Sequence, residues 1–132
     1  MKKAYNLDYF SGKSWSFVLI KKGKIVYRSK ADRLKPLIDC IRKFKKEMRG
    51  AKVFDKVIGR AAAILFSYAK VGEVWTPVIS QGGKRILRKN NIRVDYKREV
   101  DNIRNQKGDD LCPMEKMSLE KGDKIIKILL GK

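Results

Sequence analysis

The spacing of hydrophobic residues changes character several times along the chain, and each change marks an element. Ser16-Phe17-Val18-Leu19-Ile20 is a short apolar run, Lys21-Lys22-Gly23-Lys24 is a polar turn with a glycine, and Ile25-Val26-Tyr27 resumes β-branched and aromatic residues. This pattern predicts a β-hairpin. From Asp32 onward Leu34, Leu37, Ile38, Ile41, Phe44 and Met48 recur at steps of three and four, so residues 32–50 read as an amphipathic helix closed by Gly50. Its opposite face is basic, with Lys35, Arg42, Lys43, Lys45, Lys46 and Arg49. Cys40 lies on the flank of the apolar stripe, where a free cysteine acts as a small hydrophobe.

Ala51-Lys52-Val53-Phe54 reads as a short strand, and residues 55–66 are apolar around most of a helical circumference, which predicts a helix buried on several sides. Gly59 and Ala61-Ala62-Ala63 would let neighbouring strands approach it closely. Glu73–Ile79 is a strand in which Pro77 argues against a central position. Residues 80–90 read as a loop running into a helix, Ile92–Tyr96 alternates as a strand, and residues 97–110 are largely polar and loop-like. Pro113 opens a short helix, and residues 123–130 form another after Gly122. The order predicts an α/β protein: a three-layer α/β/α sandwich with a mixed sheet of about five strands, opening with the hairpin and parallel at its centre. The chain has no repeat or linker-like tract, so residues 1–132 are expected to form a single domain with its core at about 15–130.

Composition narrows the chemistry. Histidine is absent, which removes imidazole acid–base catalysis, Ser-His-Asp and Cys-His constellations and the commonest metal ligand. Two cysteines, Cys40 and Cys112, are too few for a disulfide framework and read as free thiols of a reducing compartment. No segment approaches the ~20 apolar residues of a membrane span, so a cytoplasmic protein with no membrane partner is expected. The net charge is +19, and it is uneven: residues 1–52 hold 16 Lys/Arg against 4 Asp/Glu, while residues 53–132 hold 17 against 10. Such a field attracts nucleic acid, anionic surfaces and phosphorylated metabolites alike. A lysine-rich surface needs no partner, however, and 23 of the 33 basic residues are lysine.

In open α/β sheets, ligands gather beyond the carboxyl ends of parallel strands, where helix N-termini present free N–H groups. Two predicted strand-to-helix turns fit: Phe54-Asp55-Lys56 and Ile79-Ser80-Gln81-Gly82-Gly83. Asp55 is either an acid/base or hydroxyl-orienting group or, as favoured, an N-cap. Lys56 in a first helical turn would oppose the helix dipole, which makes it the better functional candidate of the two. Ser80, Gln81 and Gly82 would cradle a phosphate or merely make a flexible turn. Asp109-Asp110 is read as a solvated pair in preference to a cation site, and Trp15 and Trp75 as packing groups in preference to base-stacking ones.

The run VFDKVIGRAAAILFSYAKVGEVWTPVIS followed by LCPMEK resembles an uncharacterised prokaryotic family, a domain of unknown function assigned to the cytidine-deaminase-like fold. The resemblance runs from about Ser16 to Glu115, and its most specific pieces are Asp55-Lys56-x-x-Gly59 and Cys112-Pro113-Met114-Glu115. It implies the same three-layer sandwich and no established reaction. Zinc deaminases open one helix with His (or Cys)-x-Glu and the next with Pro-Cys-x-x-Cys. On that template the two places fall at Asp55-Lys56-Val57 and Ser80-Gln81-Gly82, which hold no zinc ligand set, so neither a zinc nor another cofactor is expected.

Two functions are therefore carried forward. The favoured one is a domain that binds a small anionic or nucleotide-like ligand through Asp55, Lys56, Gly59, Ser80, Gln81, Gly82, Cys112 and Glu115. The alternative is a nucleic-acid-binding or interaction module, non-specific in its contacts, that uses Lys35, Arg42, Lys43, Lys45, Lys46 and Arg49. Enzymatic activity is left open, with Lys56 and Cys112 as the candidate reactive groups. Cys112 stands at the cap of the helix that Pro113 opens, and Glu115 at its third position is expected to reach back to the Cys112 amide.

Overall fold

The computed structural model describes residues 5–104, 107 and 111–131. Its first element is a helix that the hydrophobic spacing did not announce: α1, Leu7–Ser11, capped by Asn6, whose side-chain oxygen accepts the Tyr9 N–H at 2.9 Å. Strands β1 (Phe17–Lys21) and β2 (Lys24–Ser29) then form the expected hairpin. Lys22 and Gly23 both have positive φ, the geometry whose twist matches a two-residue connection. Helix α2 spans Lys35–Met48, starting three residues later than the helix expected from Asp32, with Pro36 in its first turn and a break from helical geometry at Phe44. Leu37, Cys40, Ile41 and Met48 point inward.

The segment expected to be one helix over residues 55–66 is instead strand and then helix. β3 (Lys52–Asp55) is followed by β4 (Val57–Ile58), and α3 begins only at Arg60 and runs to Ala69. Gly59 is its N-cap, so Asp55 is not a helix cap but the end of a strand. β5 (Glu73–Ser80) leads directly into α4 (Gln81–Lys89), and β6 (Arg93–Val100) continues through residues expected to be loop. The chain closes with α5 (Pro113–Lys121), a 3₁₀ turn over Gly122–Lys124 and α6 (Ile125–Leu130).

The sheet runs β2-β1-β3/β4-β5-β6, with β1 antiparallel to β2 and β3, and β5 parallel to β3, β4 and β6. Pro77 sits in the middle of the central strand, against expectation, and the sheet shows how it is tolerated. β3 and β4 hold one register on β5, Lys52 opposite Glu73 and Val57 opposite Val78, which places Lys56 opposite Pro77. A proline has no N–H to donate, and the ladder is interrupted at that pair. Lys56 N–H turns the other way, to the Ser16 carbonyl at 2.9 Å.

Alternate strand residues divide the core. Phe17, Leu19, Val53 and Val74 pack with Leu37, Ala62, Ala63, Leu65 and Leu87 of α2, α3 and α4. Val18, Ile20, Phe54 and Trp75 face the other way, onto Leu7 and Phe10 of α1. Phe10 lies 5.5 Å from the Phe54 ring and 6.2 Å from Trp75, centroid to centroid. The sandwich thus has three layers, one of them a single short helix. β6 is an edge strand whose Lys97, Arg98 and Glu99 are exposed in succession, which explains why its second half reads as loop while Ile92–Tyr96 reads as strand. Among the described residues no helix is long and apolar enough to cross a membrane.

Candidate functional site

The interruption opposite Pro77 leaves Asp55 and Lys56 at the carboxyl end of β3, below the start of α3. Around them lies a cavity of about 330 Å³. It is bounded by Ser16, by Asp32-Arg33-Leu34 before α2, by Asp55, Lys56, Val57 and Gly59, by the first residues of α3, by Ile103 and Arg104, and by Cys112–Glu115. Three helix N-termini, those of α2, α3 and α5, therefore open on it. α3 lacks a side-chain cap from its own N-cap residue, and the first-turn residues Ala61 and Ala62, whose amides an α-helix cannot satisfy internally, lie on the cavity wall.

Glu115 supplies what α3 lacks. Its side chain is buried, with Oε1 accepting the Arg60 N–H at 2.7 Å and Oε2 accepting the Ile103 N–H at 2.9 Å. The expected reach back to Cys112 is not made: the Cys112 N–H donates to the Ile103 carbonyl at 2.8 Å, and the residue caps α5 without a side-chain hydrogen bond. Glu115 is thus a tie between α5, the start of α3 and the segment after β6, and both of its oxygens are already engaged.

Asp55 is 6% exposed at the cavity wall. Burial pushes its carboxyl well above the usual range, with the Val57 and Lys56 amides acting in the opposite direction. Arg33, Lys56 and Arg104 bring positive charge to the same lining, and Arg33 holds a left-handed backbone, φ 61°. The half-buried Cys112 thiol also borders the cavity, whereas Cys40 is packed in the core and burial raises its thiol to about 12.

Of the residues singled out from the sequence, the fold brings Asp55, Lys56, Gly59, Cys112 and Glu115 together and leaves Ser80, Gln81 and Gly82 outside the cavity. Ser80 is the N-cap of α4, its Oγ accepting the Gly83 N–H at 3.0 Å, and the Arg60 guanidine lies where a Gly82 side chain would be. The cavity sits at the starts of α2, α3 and α5, not those of α3 and α4. Ser16, Asp32, Arg33 and Arg104 escaped notice because they come from irregular segments that carry no motif. Asp109-Asp110 lies outside the described residues. The basic face of α2 is solvent-exposed at Arg42, Lys43, Lys45, Lys46 and Arg49. Within it Arg42 reaches the Leu129 carbonyl at 3.3 Å, Lys45 the Tyr68 hydroxyl at 3.2 Å, and Lys35 pairs with Asp39 at 2.9 Å.

The donor set does not suit a zinc ion. Cys112 is the one thiol at the cavity, Glu115 is bound to amides, and among the described residues no three His, Cys, Asp or Glu side chains are grouped to hold a metal.

These features define an open mixed-sheet α/β domain with a cavity at three helix starts. The chain belongs to the family described as Domain of unknown function (DUF1893), which it matches over residues 7–130. It is similar to a DUF1893 family protein, TM1506 of Thermotoga maritima, whose crystal structure superposes with a TM-score of 0.85 at 28% identity, covering 95% of this chain and 85% of that one. Two forms of Acinetobacter baumannii RibD share the fold more distantly. Their TM-scores are 0.52 and 0.51 at 15% and 16% identity, over 86% of this chain and only 32% of theirs. No curated protein matches the sequence.

Proposed function

We propose that this chain is a small-ligand-binding domain on a cytidine-deaminase-like sheet, without zinc, and that the cavity at the starts of α2 and α3 takes an anionic or nucleotide-like molecule. The likeness to RibD supports the fold assignment. The observation that carries the functional reading is the composition of the cavity: a buried carboxyl, Asp55, with Arg33, Lys56 and Arg104 on the same lining and the first turn of α3 behind them. Glu115 is held by backbone amides, so the charged side chains left on the lining are Asp32 and Asp55 against Arg33, Lys56 and Arg104. Its volume is at the lower end of small-molecule pockets, ~300–1,000 Å³, which suits a mononucleotide better than a longer ligand.

A thermal-shift and calorimetric survey of nucleoside monophosphates, ribose 5-phosphate and inorganic phosphate tests this. At least one is expected to stabilise the protein, and Lys56→Ala, at an exposed position, is expected to weaken that ligand about tenfold, ~1.4 kcal/mol. Absence of any stabilisation across the set, or full binding by Lys56→Ala, would remove the reading.

A further inference from the structure

We propose that the sheet face bearing α1 carries a second binding surface, one for single-stranded nucleic acid, on which a base stacks against Trp15 while Arg28 and Lys30 meet the flanking phosphates. The helix on this face has five residues and is about 7.5 Å long, against a sheet roughly 20 Å across. Toward the β2 edge the ring of Trp15 rests half-buried on the same apolar cluster as α1, and the rest of it is open to solvent. Arg28, from β2, places its guanidinium carbon 4.5 Å from the ring centroid, and Lys30, just past β2, places its Nζ at 5.0 Å. Both side chains are exposed, and among the described residues neither is paired with a carboxylate. On the same cluster Lys13 stands 5.0 Å from the centroid of the half-buried Tyr9 ring, again without an acid. Asp8, the acid of α1, is turned to Lys97 at 3.2 Å.

Other cations that lie over rings are already spent. Lys84, over Tyr96, pairs with Glu99; Lys45, over Tyr68, donates to that residue's hydroxyl; and Lys52 lies over Trp75, which is only 4% exposed and has no face to offer. Trp15 combines an open ring, two cations and no acid. A polyanion supplies the missing negative charge, and a base supplies a π-face whatever its sequence. Arg28 and Lys30 are long and exposed, so either can leave the ring for a phosphate as a base takes its place. A duplex offers phosphates but keeps its base faces stacked inside, and an acidic peptide offers charge without a base, so the single strand is the partner that uses both features. Neither Trp15 nor these two cations line the cavity, so the surface stands independently of the ligand bound there.

An end-labelled oligouridylate of about 12 nucleotides, the same strand annealed to its complement, and an oligoglutamate of equal charge test this on the full chain at about 0.15 M salt. Anisotropy reads binding and tryptophan emission reads stacking. The single strand is expected to bind at least about fivefold tighter than the duplex, to be competed only weakly by oligoglutamate, and to quench the emission of the open Trp15 ring. Trp15→Leu leaves the net charge at +19, so the overall field is unchanged, yet it is expected to weaken the strand about tenfold. Trp15→Phe keeps a ring and is expected to stay within about threefold of wild type. Full affinity in Trp15→Leu, equal affinity for strand and duplex, or competition by oligoglutamate as strong as by unlabelled strand overturns the surface. So does a wild type that binds the strand with no loss of tryptophan emission, and that reading decides the matter even where Trp15→Leu fails to fold.

Discussion

At Gly59 the chain has room for no side chain: a Cβ would lie 2.8 Å from Glu115 Oε1 and 3.0 Å from Ile103 Cγ1. Gly59→Ala therefore displaces the carboxylate that caps α3, and Glu115→Ala removes it and leaves two amides unanswered. Each is expected to lower stability by ~1–3 kcal/mol in denaturant melts, with Glu115→Ala the worse of the two. The two thiols separate by environment. With burial raising Cys40 to about 12, almost no thiolate forms there at neutral pH, so a native-state thiol titration is expected to count only Cys112, the second thiol appearing on unfolding. Asp55 gives a pH signature. The unfolded carboxyl releases its proton near 3.8, and the folded one releases it at higher pH. Across that interval the folded state binds more protons, so stability falls as pH rises from about 3.8 through the folded value. Asp55→Asn has no such proton to lose. It is expected to melt above wild type at neutral and alkaline pH and to converge with it in acid, and superimposable pH profiles would contradict that.

Elements were legible wherever a repeating pattern met a repeating environment. The hairpin, the inward stripe of α2, β5 and the helix opened by Pro113 all follow from period and punctuation: apolar runs for β1 and β5, whose residues are buried on both faces of the sheet, a one-sided stripe for α2, and Pro113 for α5. α1 was missed because five residues, with only Leu7 and Phe10 buried, are too few to show a period. The α3 boundary was misplaced because Val57 and Ile58 are apolar in either a strand or a helix; only pairing with Val78 and Ile79 decides between them. The candidate site was half legible for the same reason. Asp55, Lys56, Gly59, Cys112 and Glu115 stand out locally, but Arg33 and Arg104 join them only through the tertiary fold. Close approach of two connections offers an element-scale test. A Cβ on Gly72, before β5, would lie 2.9 Å from the Gly50 carbonyl oxygen, in the turn between α2 and β3. The obstacle is backbone, which cannot step aside, so Gly72→Ala is expected to cost ~1–3 kcal/mol by thermal melt, with the cavity's ligand affinity unchanged.

For the whole molecule the governing quantity is charge. Net +19 is spread over a surface on which three ion pairs, Lys35–Asp39, Lys84–Glu99 and Lys97–Asp8, are seen among the described residues. Self-repulsion should weaken the fold at low ionic strength, and screening shortens its reach from ~30 Å at 0.01 M salt to ~8 Å at 0.15 M. The same field should hold RNA weakly and without sequence preference, and the question is whether α2 is a dedicated surface or only part of that field. Reversing Arg42, Lys43, Lys45 and Lys46 to Glu removes eight units of the +19. Reversing the exposed Arg88, Lys89, Arg93 and Arg98 removes the same eight from elsewhere. Counterion release makes affinity depend on how many phosphates are neutralised together, so a dedicated face would lose affinity and salt slope in the first variant far more than in the second. With function assigned to the cavity, both sets are expected to weaken retention on an RNA column by similar amounts. A much larger loss on reversing α2 would make that helix, with its basic face turned to solvent, the nucleic-acid interface.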